Sequence, residues 1–205
     1  MDLKICSVSD RYVKFLREDP KLKNVFDNKE NTRSHTRKYL GAVIEKNGFN
    51  YYIPFSSPKN SDYNINENGL KTIRKSITPI IRMTSTDSLT GKPELKGTLK
   101  IGNMIPVPQS ELTPYNITDE QDLNYKTIVS KEYAFIKANK LLILRNANNL
   151  YNEKTNCDKI FSNGKHRPNY LNSTIDFKYA EEKCTEYCKN QDISKQVSGG
   201  DKWIL

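Results

Sequence analysis

The chain has 205 residues, of which 33 are Lys or Arg and 24 are Asp or Glu, so its formal net charge is +9 at pH 7. A chain of this length can bury a core without disulfides or metal ions. The positive charge favours a polyanionic partner such as nucleic acid, because neutralised phosphates release their condensed counterions. A membrane surface is the competing interpretation, but the sequence has no basic amphipathic helix and no polybasic run beside an apolar anchor.

The N-terminal segment and the cysteines indicate a cytoplasmic protein. An acid at position 2 and the lack of an apolar stretch predict that no signal peptide is present. No run approaches the roughly 18 apolar residues of a membrane span, so we expect no membrane partner. The four cysteines show no paired or regular spacing, which is typical of reduced thiols. They are Cys6, Cys157, Cys184 and Cys188.

The first predicted elements are a short helix and a polar loop. Ser9 is placed to cap a helix whose apolar residues run from Tyr12 to Leu16 and which ends before Pro20. Few apolar residues follow between positions 21 and 36. This segment therefore predicts a long surface loop, and such loops often carry functional residues on a rigid scaffold.

A β-hairpin is the clearest structural prediction. β-Branched and aromatic residues are frequent at 39–44 and 49–55. They flank Asn47-Gly48, the pair that best adopts the positive φ angles of a type I′ turn. With this turn at the centre, the numbers of paired residues sum to 95, so Tyr39 is expected opposite Ser56.

Strands are expected to predominate up to residue 108. The predicted elements are a loop at 57–68, a helix at 70–77, a strand at 79–84, a turn at 90–93 and a strand at 99–107. The last strand is expected to stop at Pro106 and Pro108, because proline cannot donate a hydrogen bond to a neighbouring strand.

Helices are predicted for the C-terminal half. The residues at 118–121 form a capping box, and apolar residues at helical spacing continue to Leu144, which predicts a long helix, either continuous or interrupted. A polar loop at 152–172 precedes a last helix that begins near Thr174 or Asp176. The apolar face of that helix comprises Phe177, Ala180, Cys184, Tyr187 and Cys188.

These elements predict an α+β fold with one domain. We expect residues 1–190 to form a compact, strongly bent antiparallel sheet or small β-barrel, with helices packed on it. Residues 191–205 have the composition of turns, and we expect this C-terminal tail to be disordered apart from its last three residues.

Common phosphate-binding and metal-binding patterns are absent from the sequence. Neither Gly-x-x-x-x-Gly-Lys-Ser/Thr nor Gly-x-Gly-x-x-Gly occurs, which argues against a nucleoside triphosphatase or a Rossmann enzyme. The carboxylates at 39–108 lack the spacing of ligands in a metal-dependent nuclease. Cys184 and Cys188 could bind zinc with His166 and Cys157, but small packing residues on a helix are the simpler interpretation. We expect neither a metal ion nor a cofactor.

His35 and His166 are the only histidines in the sequence, and both lie in polar segments. An acid–base ribonuclease with two histidines would need both to converge from distant parts of the chain. His166 is more simply a surface residue. His35 stays open as an acid or base because of its charged neighbours.

The segment Ser56-Ser57-Pro58-Lys59 is the strongest candidate for a phosphate site. In the predicted register Arg37 lies opposite Pro58, so a guanidinium, two hydroxyls and an ammonium would cluster at one end of the hairpin. Cations of this kind balance the charge that grows on a pentavalent phosphorane, while hydroxyls position the phosphate or relay a proton. Residue chemistry alone favours the simpler alternative, a Ser/Pro turn flanked by ordinary surface cations.

Four blocks of sequence resemble the ToxN/AbiQ family of type III toxin-antitoxin endoribonucleases. They occur in the family's order and lie at 7–16, 37–59, 103–108 and 176–187, and the second block ends in Pro54-Phe55-Ser56-Ser57-Pro58-Lys59. Each block is short, but four in the correct order are hard to obtain by chance.

The resemblance implies a compact β-barrel related to the Kid/MazF toxins and elaborated by helices. It also implies a bacterial cytoplasmic toxin of phage abortive infection, which cleaves RNA without a metal ion and leaves a 2′,3′-cyclic phosphate. The implied partners are cellular or phage RNA as substrate and an antitoxin RNA of repeated pseudoknots. Three toxin chains and the antitoxin RNA are expected to alternate in a closed ring.

The resemblance also assigns the candidate catalytic residues. Ser57 matches the family's key serine, Ser56 the adjacent hydroxyl residue, Lys59 the lysine after proline and Arg37 the basic residue before the first strand of the hairpin. We hypothesise that the substrate's 2′-hydroxyl attacks the adjacent phosphate, that the serines bond the phosphate or relay a proton, and that the two cations stabilise developing charge. His35 is a further candidate acid or base.

Five basic residues are candidates for binding RNA: Arg33, Lys38, Lys126, Lys131 and Lys137. Arg33 stands where some family members have a tyrosine, so the role of that tyrosine is not carried over to this chain. The lysines of the predicted long helix have a simpler alternative, because solvated helix faces commonly carry lysine.

Two other classes of protein remain open. A non-catalytic RNA-binding module would use the same basic groove, with Tyr51 and Tyr52 as stacking platforms, although aromatic residues in strands are more often core. A DNA-binding regulator is a weaker alternative because the sequence has no helix-turn-helix signature.

Overall fold

The computed structural model describes residues 3–29, 34–162 and 166–199, with side chains described as far as residue 193. Its strands are β1 Lys4–Val8, β2 Lys38–Lys46, β3 Phe49–Ser56, β4 Tyr63–Ile65, β5 Lys71–Ile73, β6 Ile80–Thr86, β7 Pro93–Lys100, β8 Ile105–Pro106 and β9 Leu112–Pro114. Its helices are α1 Asp10–Glu18, α2 Leu123–Ala138, α3 Lys140–Thr155, α4 Cys157–Ile160, α5 Tyr170–Ser173 and α6 Phe177–Gly199. Within these ranges, no helix is both long enough and apolar enough to span a membrane.

The strands form one antiparallel sheet and a separate hairpin. The hydrogen-bonded order of the sheet is β6-β7-β3-β2-β1-β9, β8 pairs with β3, and the hairpin consists of β4 and β5. Because β6 and β9 lie at the two ends of this order, the sheet is unclosed. The predicted α+β fold is therefore confirmed in the form of an open antiparallel sheet with added helices.

The first helix begins as predicted, but the segment after it is not a surface loop throughout. The Ser9 hydroxyl accepts a hydrogen bond from the backbone N–H of Tyr12 at 3.3 Å, and α1 buries Tyr12 and Leu16. Leu22 and Val25 are 0% and 1% exposed. These two apolar residues anchor the segment to the core, so the prediction of a surface loop is wrong for this part.

The predicted hairpin turn is confirmed. Asn47 and Gly48 have positive φ angles of 53° and 80°, the backbone conformation that this pair tolerates best. Next to the turn the pairing follows the predicted sum of 95, as for Ile44 with Tyr51.

A bulge in β2 changes the pairing farther from the turn. The register shifts between Leu40 and Ile44, beyond which the numbers of paired residues sum to 93. Tyr39 consequently pairs with Pro54, and its predicted pairing with Ser56 is wrong. The bulge places extra residues of β2 opposite β3, a local feature that the turn sequence does not reveal.

The helix predicted at 70–77 is wrong, because β5 pairs there with β4. The two strands are joined by a turn in which the Asn66 side chain accepts a hydrogen bond from the backbone N–H of Leu70 at 2.8 Å. Gly69 adopts a φ angle of 73° in this turn. Asparagine and glycine in these roles are typical of a hairpin connection rather than a helix start.

The strand predicted at 99–107 is wrong in its extent. β7 ends at Lys100, a 3₁₀ turn occupies Ile101–Asn103, and β8 contains only two residues. Met104 and Ile105 are buried on either side of this change. Their apolar side chains indicate that these positions are buried. A buried segment can have an irregular backbone as well as the conformation of a strand.

The predicted long helix is confirmed in its interrupted form as α2 and α3, which meet at Asn139. Its predicted cap is wrong, since Ile117–Asp119 forms a separate 3₁₀ turn. The Asp122 carboxylate caps α2 instead, accepting hydrogen bonds from the backbone N–H groups of Asn124 and Tyr125 at 2.9 and 3.0 Å.

The closing helix is confirmed as α6. It continues to Gly199, so helix occupies part of the segment 191–205 that the sequence predicts to be a disordered tail. Four of the predicted face residues are buried, namely Phe177, Ala180, Cys184 and Tyr187. Cys188 is exposed. The last residues of the predicted tail, 200–205, lie outside the described residues.

A buried carboxylate on α6 joins this helix to the turn end of the hairpin. Glu181, which is 8% exposed, accepts hydrogen bonds from the hydroxyls of Tyr51 and Tyr151, both at 2.8 Å. Its second oxygen accepts a hydrogen bond from the Asn47 side chain at 2.9 Å. Phe177 packs against both tyrosine rings. The hairpin is thereby fixed to α3 and α6.

Candidate functional site

A basic cavity of about 720 Å³ lies beside the end of β3. Among the described residues, five cations and one carboxylate, that of Asp27, line this cavity. The cations are Arg17, Lys23, Lys29, Lys59 and Lys100. Tyr170, Ser173 and Thr174, which bear hydroxyl groups, also line it. A surplus of cations with nearby hydroxyls is suited to an anionic ligand such as a phosphate.

The predicted phosphate segment begins where β3 ends. Ser56 is the last residue of β3 and is 5% exposed, and its carbonyl accepts a hydrogen bond from the Thr98 hydroxyl at 3.3 Å. The Ser56 hydroxyl donates to the carbonyl of Ser57 at 3.4 Å. Ser57, Pro58 and Lys59 are exposed, so the chain turns outward after a buried residue. The two adjacent hydroxyls therefore differ in access to a ligand.

Arg37 contacts this strand end from inside the protein. It is 1% exposed, its Nε donates to the carbonyl of Asp27 at 3.0 Å, and its Nη1 donates to the carbonyl of Phe55. The guanidinium also lies over the ring of Phe26, 4.6 Å from its centroid. The predicted register that set Arg37 opposite Pro58 is wrong, yet Arg37 still links the backbone of Asp27, which lines the cavity, to the end of β3.

A buried ionic cluster, which the sequence analysis missed, holds Lys59 in place. Asp62 is 1% exposed, and its Oδ2 accepts a hydrogen bond from the backbone N–H of Lys59 at 3.0 Å. Its Oδ1 lies 3.1 Å from Arg82 Nη2 and 4.0 Å from Lys100 Nζ. Asp62 follows Lys59 by three residues, which is the spacing of a capping box. From this spacing the contact between Asp62 and the Lys59 backbone could have been predicted.

His35 lies apart from this cavity, at the start of α2. Its Nε2 is 3.1 Å from Asp122 Oδ2, and its ring stacks on Tyr125 with the centroids 3.9 Å apart. Hydrogen bonds from the Tyr125 backbone N–H and from His35 lower the pKa of the Asp122 carboxyl. His35 is thus oriented by a carboxylate, but it does not line the cavity that contains Lys59. His166 is exposed.

The candidate RNA-binding lysines are distributed over other surfaces. Lys38 Nζ donates to the Ser7 hydroxyl at 3.3 Å and lies over the ring of Tyr115, and burial lowers its pKa. Lys126 Nζ donates to the carbonyl of Thr118 at 2.7 Å, which uses this cation for a local contact.

The remaining candidates differ in their exposure. Lys131 is half-buried on α2, and Lys137 is exposed with its Nζ 5.2 Å from the ring centroid of Tyr133. Arg33 lies outside the described residues. The described members of this set, Lys38 included, do not line the cavity beside Lys59.

A second cavity of about 630 Å³ is bordered by β1, β3 and β9 and by α2. Its aromatic wall contains Tyr52, Tyr115 and Tyr133. Gly41 also lies here, and a Cβ at this position would approach the Tyr52 ring to 1.9 Å. Tyr51 is fully buried, so of the two tyrosines proposed as stacking platforms only Tyr52 borders a cavity.

The cysteines do not form a metal site in the described part of the chain. No group of three or more His, Cys, Asp or Glu side chains is close enough there to hold a metal ion. Cys184 is buried in the core, and burial raises the pKa of its thiol to about 11. It therefore serves as a small packing residue.

An open antiparallel sheet with a cation-lined cavity at the end of a central strand is the arrangement of a protein whose site suits a polyanion. The sequence model of the family described as "Toxin ToxN, type III toxin-antitoxin system" matches residues 4–185. The chain belongs to this toxin family.

Individual relatives agree with this assignment. The chain is 27% identical over 197 residues to Endoribonuclease ToxN of Bacillus thuringiensis subsp. kurstaki, which covers 94% of this chain and 88% of that protein. A solved structure described as showing selective toxin inhibition by a non-coding RNA pseudoknot has a TM-score of 0.68 at 24% identity and covers 91% of this chain and 98% of that chain.

A second solved structure is similar over the same extent. It is that of AbiQ, a lactococcal anti-phage endoribonuclease belonging to the type III toxin-antitoxin system, with a TM-score of 0.65 and 26% identity. It covers 92% of this chain and 99% of that chain. The resemblance seen in the four sequence blocks is confirmed.

Proposed function

We propose that this chain is an endoribonuclease toxin that cleaves RNA without a metal ion in the basic cavity beside Ser57 and Lys59. The observation that carries the proposal is a cavity lined by five cations, one of which is the exposed Lys59. Ser57 is not a lining residue of this cavity, but it is exposed and lies two positions before Lys59, just after the end of β3. RNA phosphates would neutralise these cations. Membership of the ToxN family and the endoribonuclease activity in the name of the Bacillus thuringiensis relative support the same activity.

The proposed chemistry is an intramolecular transfer at phosphorus. The 2′-hydroxyl of the substrate gives up its proton to water as its oxygen bonds to the adjacent phosphorus. The bond from phosphorus to the 5′-oxygen breaks, and that oxygen takes a proton from water. The products are a 2′,3′-cyclic phosphate and a 5′-hydroxyl. Charge accumulates on the non-bridging oxygens in the transition state, where the Ser57 hydroxyl and the Lys59 ammonium donate hydrogen bonds.

Ser56 and Arg37 act on this site through the backbone. The Ser56 hydroxyl and the Arg37 guanidinium both bond main-chain carbonyls at the end of β3. They hold Ser57 in place rather than contacting the phosphate. Positioning of this kind matters because a small displacement of a donor removes much of its effect on the transition state.

His35 has the geometry of an oriented imidazole but lies outside the cavity. We propose that His35 transfers a proton or contacts RNA only when the bound RNA extends beyond the cavity toward α2. Its contribution is therefore expected to be smaller than that of Ser57.

The activity is tested with Ser57→Ala and long RNA in the presence of EDTA. Loss of one transition-state donor is expected to slow cleavage by about a hundredfold or more. Ser61→Ala is the matched control, because Ser61 is also exposed and lies four positions farther along the chain. Full activity of Ser57→Ala would reject the assignment of the site.

We infer that the partner is an antitoxin RNA of repeated pseudoknots, which blocks the site until cellular or phage RNA is to be cleaved. The inhibition by an RNA pseudoknot described for the similar toxin and the net charge of +9 support this inference. We propose a closed ring with three toxin chains, in the bacterial cytoplasm. Native mass spectrometry of the complex measures this stoichiometry, and any other number of chains rejects the ring of three.

A non-catalytic RNA-binding module is the second candidate function. The aromatic wall of the second cavity, which includes Tyr52, is the observation that favours it, because bases stack on such rings. A salt-sensitive shift of intact RNA without any cleavage would select this alternative.

A further inference from the structure

Lys100 is a cation of the site that neither the motif nor the family resemblance identified. It ends β7 and lines the same cavity as Lys59. Its side chain is 11% exposed, and its ammonium lies 4.0 Å from Asp62, at the outer limit of an ion pair. Within residues 3–29, 34–162 and 166–199 the Lys100 ammonium donates no hydrogen bond. Its three N–H donors are therefore available to a ligand.

The carboxylate beside Lys100 is already used by other groups. Asp62 accepts the hydrogen bond of the Lys59 backbone and lies closer to Arg82, at 3.1 Å. Arg82 also donates to the carbonyl of Lys75 at 2.8 Å. Two cations, Arg82 and Lys100, thus share one carboxylate that also accepts a backbone hydrogen bond. Apolar residues at these nearly buried positions would stabilise the fold at least as well as the cations do. The surplus of positive charge therefore points to an anion that completes the cluster.

The charge state of Lys100 agrees with this interpretation. Burial lowers the pKa of its ammonium, Asp62 opposes that change, and Arg82 and Lys59 lower the pKa further. A phosphate between Lys59 and Lys100 would compensate for the lost hydration and for the repulsion between the cations.

We propose that Lys100 is a second catalytic cation of the cleavage site, whose ammonium binds the scissile phosphate together with Lys59, and that Asp62 is the positioning residue for both. This inference rests on the proposed endoribonuclease function. As the 2′-oxygen bonds to phosphorus and the bond to the 5′-oxygen breaks, Lys100 neutralises the charge on the non-bridging oxygens. No proton leaves its ammonium in this step.

The direct test compares Lys100→Met with Lys96→Met in the full chain, under the same conditions as Ser57→Ala. Both lysines lie on β7, and their side chains are 11% and 12% exposed. Lys96 pairs with Glu94 and does not line the cavity, so it is a matched control. We expect Lys100→Met to slow cleavage about a hundredfold and Lys96→Met to cleave at the wild-type rate.

The outcomes separate this inference from the proposed function. Wild-type cleavage by Lys100→Met together with an inactive Ser57→Ala would overturn the role of Lys100 and leave the endoribonuclease in place. Absence of cleavage by the wild-type chain itself would instead reject the proposed function.

Two further experiments, with Lys100→Arg and with an uncleavable RNA, distinguish the loss of the positive charge at position 100 from a loss of folding. Arginine keeps the positive charge, so this variant is expected to recover most of the activity that Lys100→Met loses. Binding of fully 2′-O-methylated RNA by Lys100→Met should lose one phosphate contact, which lowers the salt slope by about 0.7. An inactive Lys100→Arg, with an unchanged salt slope for Lys100→Met, would contradict the proposed phosphate contact.

The positioning role of Asp62 is tested by the pH profile of Asp62→Asn. Asparagine still accepts the hydrogen bond from Lys59, but it removes the negative charge that keeps the pKa of Lys100 from falling further. Cleavage depends on the protonated ammonium, so its alkaline loss should move to lower pH in Asp62→Asn. The shift should vanish when Lys100→Arg is added, because arginine stays charged. An unchanged alkaline limb in Asp62→Asn alone would reject the coupling.

Discussion

Two buried carboxylates lie near opposite ends of the hairpin of β2 and β3, and their partners differ in charge. Glu181 contacts the turn and accepts hydrogen bonds from two tyrosine hydroxyls and the amide of Asn47. Asp62 contacts Lys59, just beyond the end of β3, and its other neighbours are Arg82 and Lys100. Neutral donors surround the first carboxylate, whereas the second accepts one backbone N–H from Lys59 and lies beside two cations, Arg82 and Lys100.

This difference in charge distinguishes a structural cluster, around Glu181, from a proposed ligand-binding site, around Asp62. Burial and the neighbouring Glu181 raise the pKa values of Tyr51 and Tyr151, so both hydroxyls stay protonated and donate to the carboxylate. The Glu181 cluster is complete without any further molecule. The Asp62 cluster retains a surplus of positive charge beside a cavity, and in the proposed reaction an RNA phosphate would supply the missing negative charge.

The largest expected effect on stability is that of Phe177→Ala, which leaves a cavity beneath Tyr51 and Tyr151. Truncation of a fully buried phenylalanine typically costs about 3–5 kcal/mol of unfolding free energy. Urea denaturation measures this loss, with Cys188→Ala on the exposed face of α6 as the control. A loss equal to that of the control would show that the turn end does not depend on α6.

Glu181→Gln is expected to have a smaller effect and to act on stability alone. The amide cannot accept all the hydrogen bonds that the carboxylate accepts, so about 1–3 kcal/mol of unfolding free energy should be lost. Cleavage below the melting transition should keep the wild-type rate. If Glu181→Gln slowed cleavage as much as Asp62→Asn does, the distinction between the two clusters would be wrong.

The smallest expected effect on cleavage is that of His35→Ala. Because His35 does not line the cavity, its removal should slow the reaction by less than about tenfold, which corresponds to roughly 1.4 kcal/mol. Single-turnover cleavage measures the change. A loss as large as that of Ser57→Ala would place proton transfer at His35 and extend the site to the start of α2.

The hairpin and the site differ in how far the sequence predicts them. The turn at Asn47-Gly48 follows from local conformational preference, and the segment after β3 follows from its Ser and Lys residues. The bulge between Leu40 and Ile44 includes Gly41, which lies against the ring of Tyr52. No turn residue and no residue spacing in the sequence predicts this bulge.

The Asp62 cluster was missed for a related reason. Its members are separated along the chain and meet only because Arg82 and Lys100 lie on the paired strands β6 and β7. Lys126 illustrates the same point, because this candidate for RNA contact donates a hydrogen bond to the backbone carbonyl of Thr118, a partner that its charge does not reveal. Charge type is visible in a sequence, whereas the partner of each charge depends on the fold.

The most direct test of the central claim is the chemistry of the RNA ends that the wild-type chain produces in EDTA. The account predicts fragments with a 2′,3′-cyclic phosphate at one end and a 5′-hydroxyl at the other, identified by mass spectrometry, and their absence in Ser57→Ala. Fragments with 5′-phosphate ends, or cleavage that stops in EDTA, would contradict a metal-independent reaction of the 2′-hydroxyl.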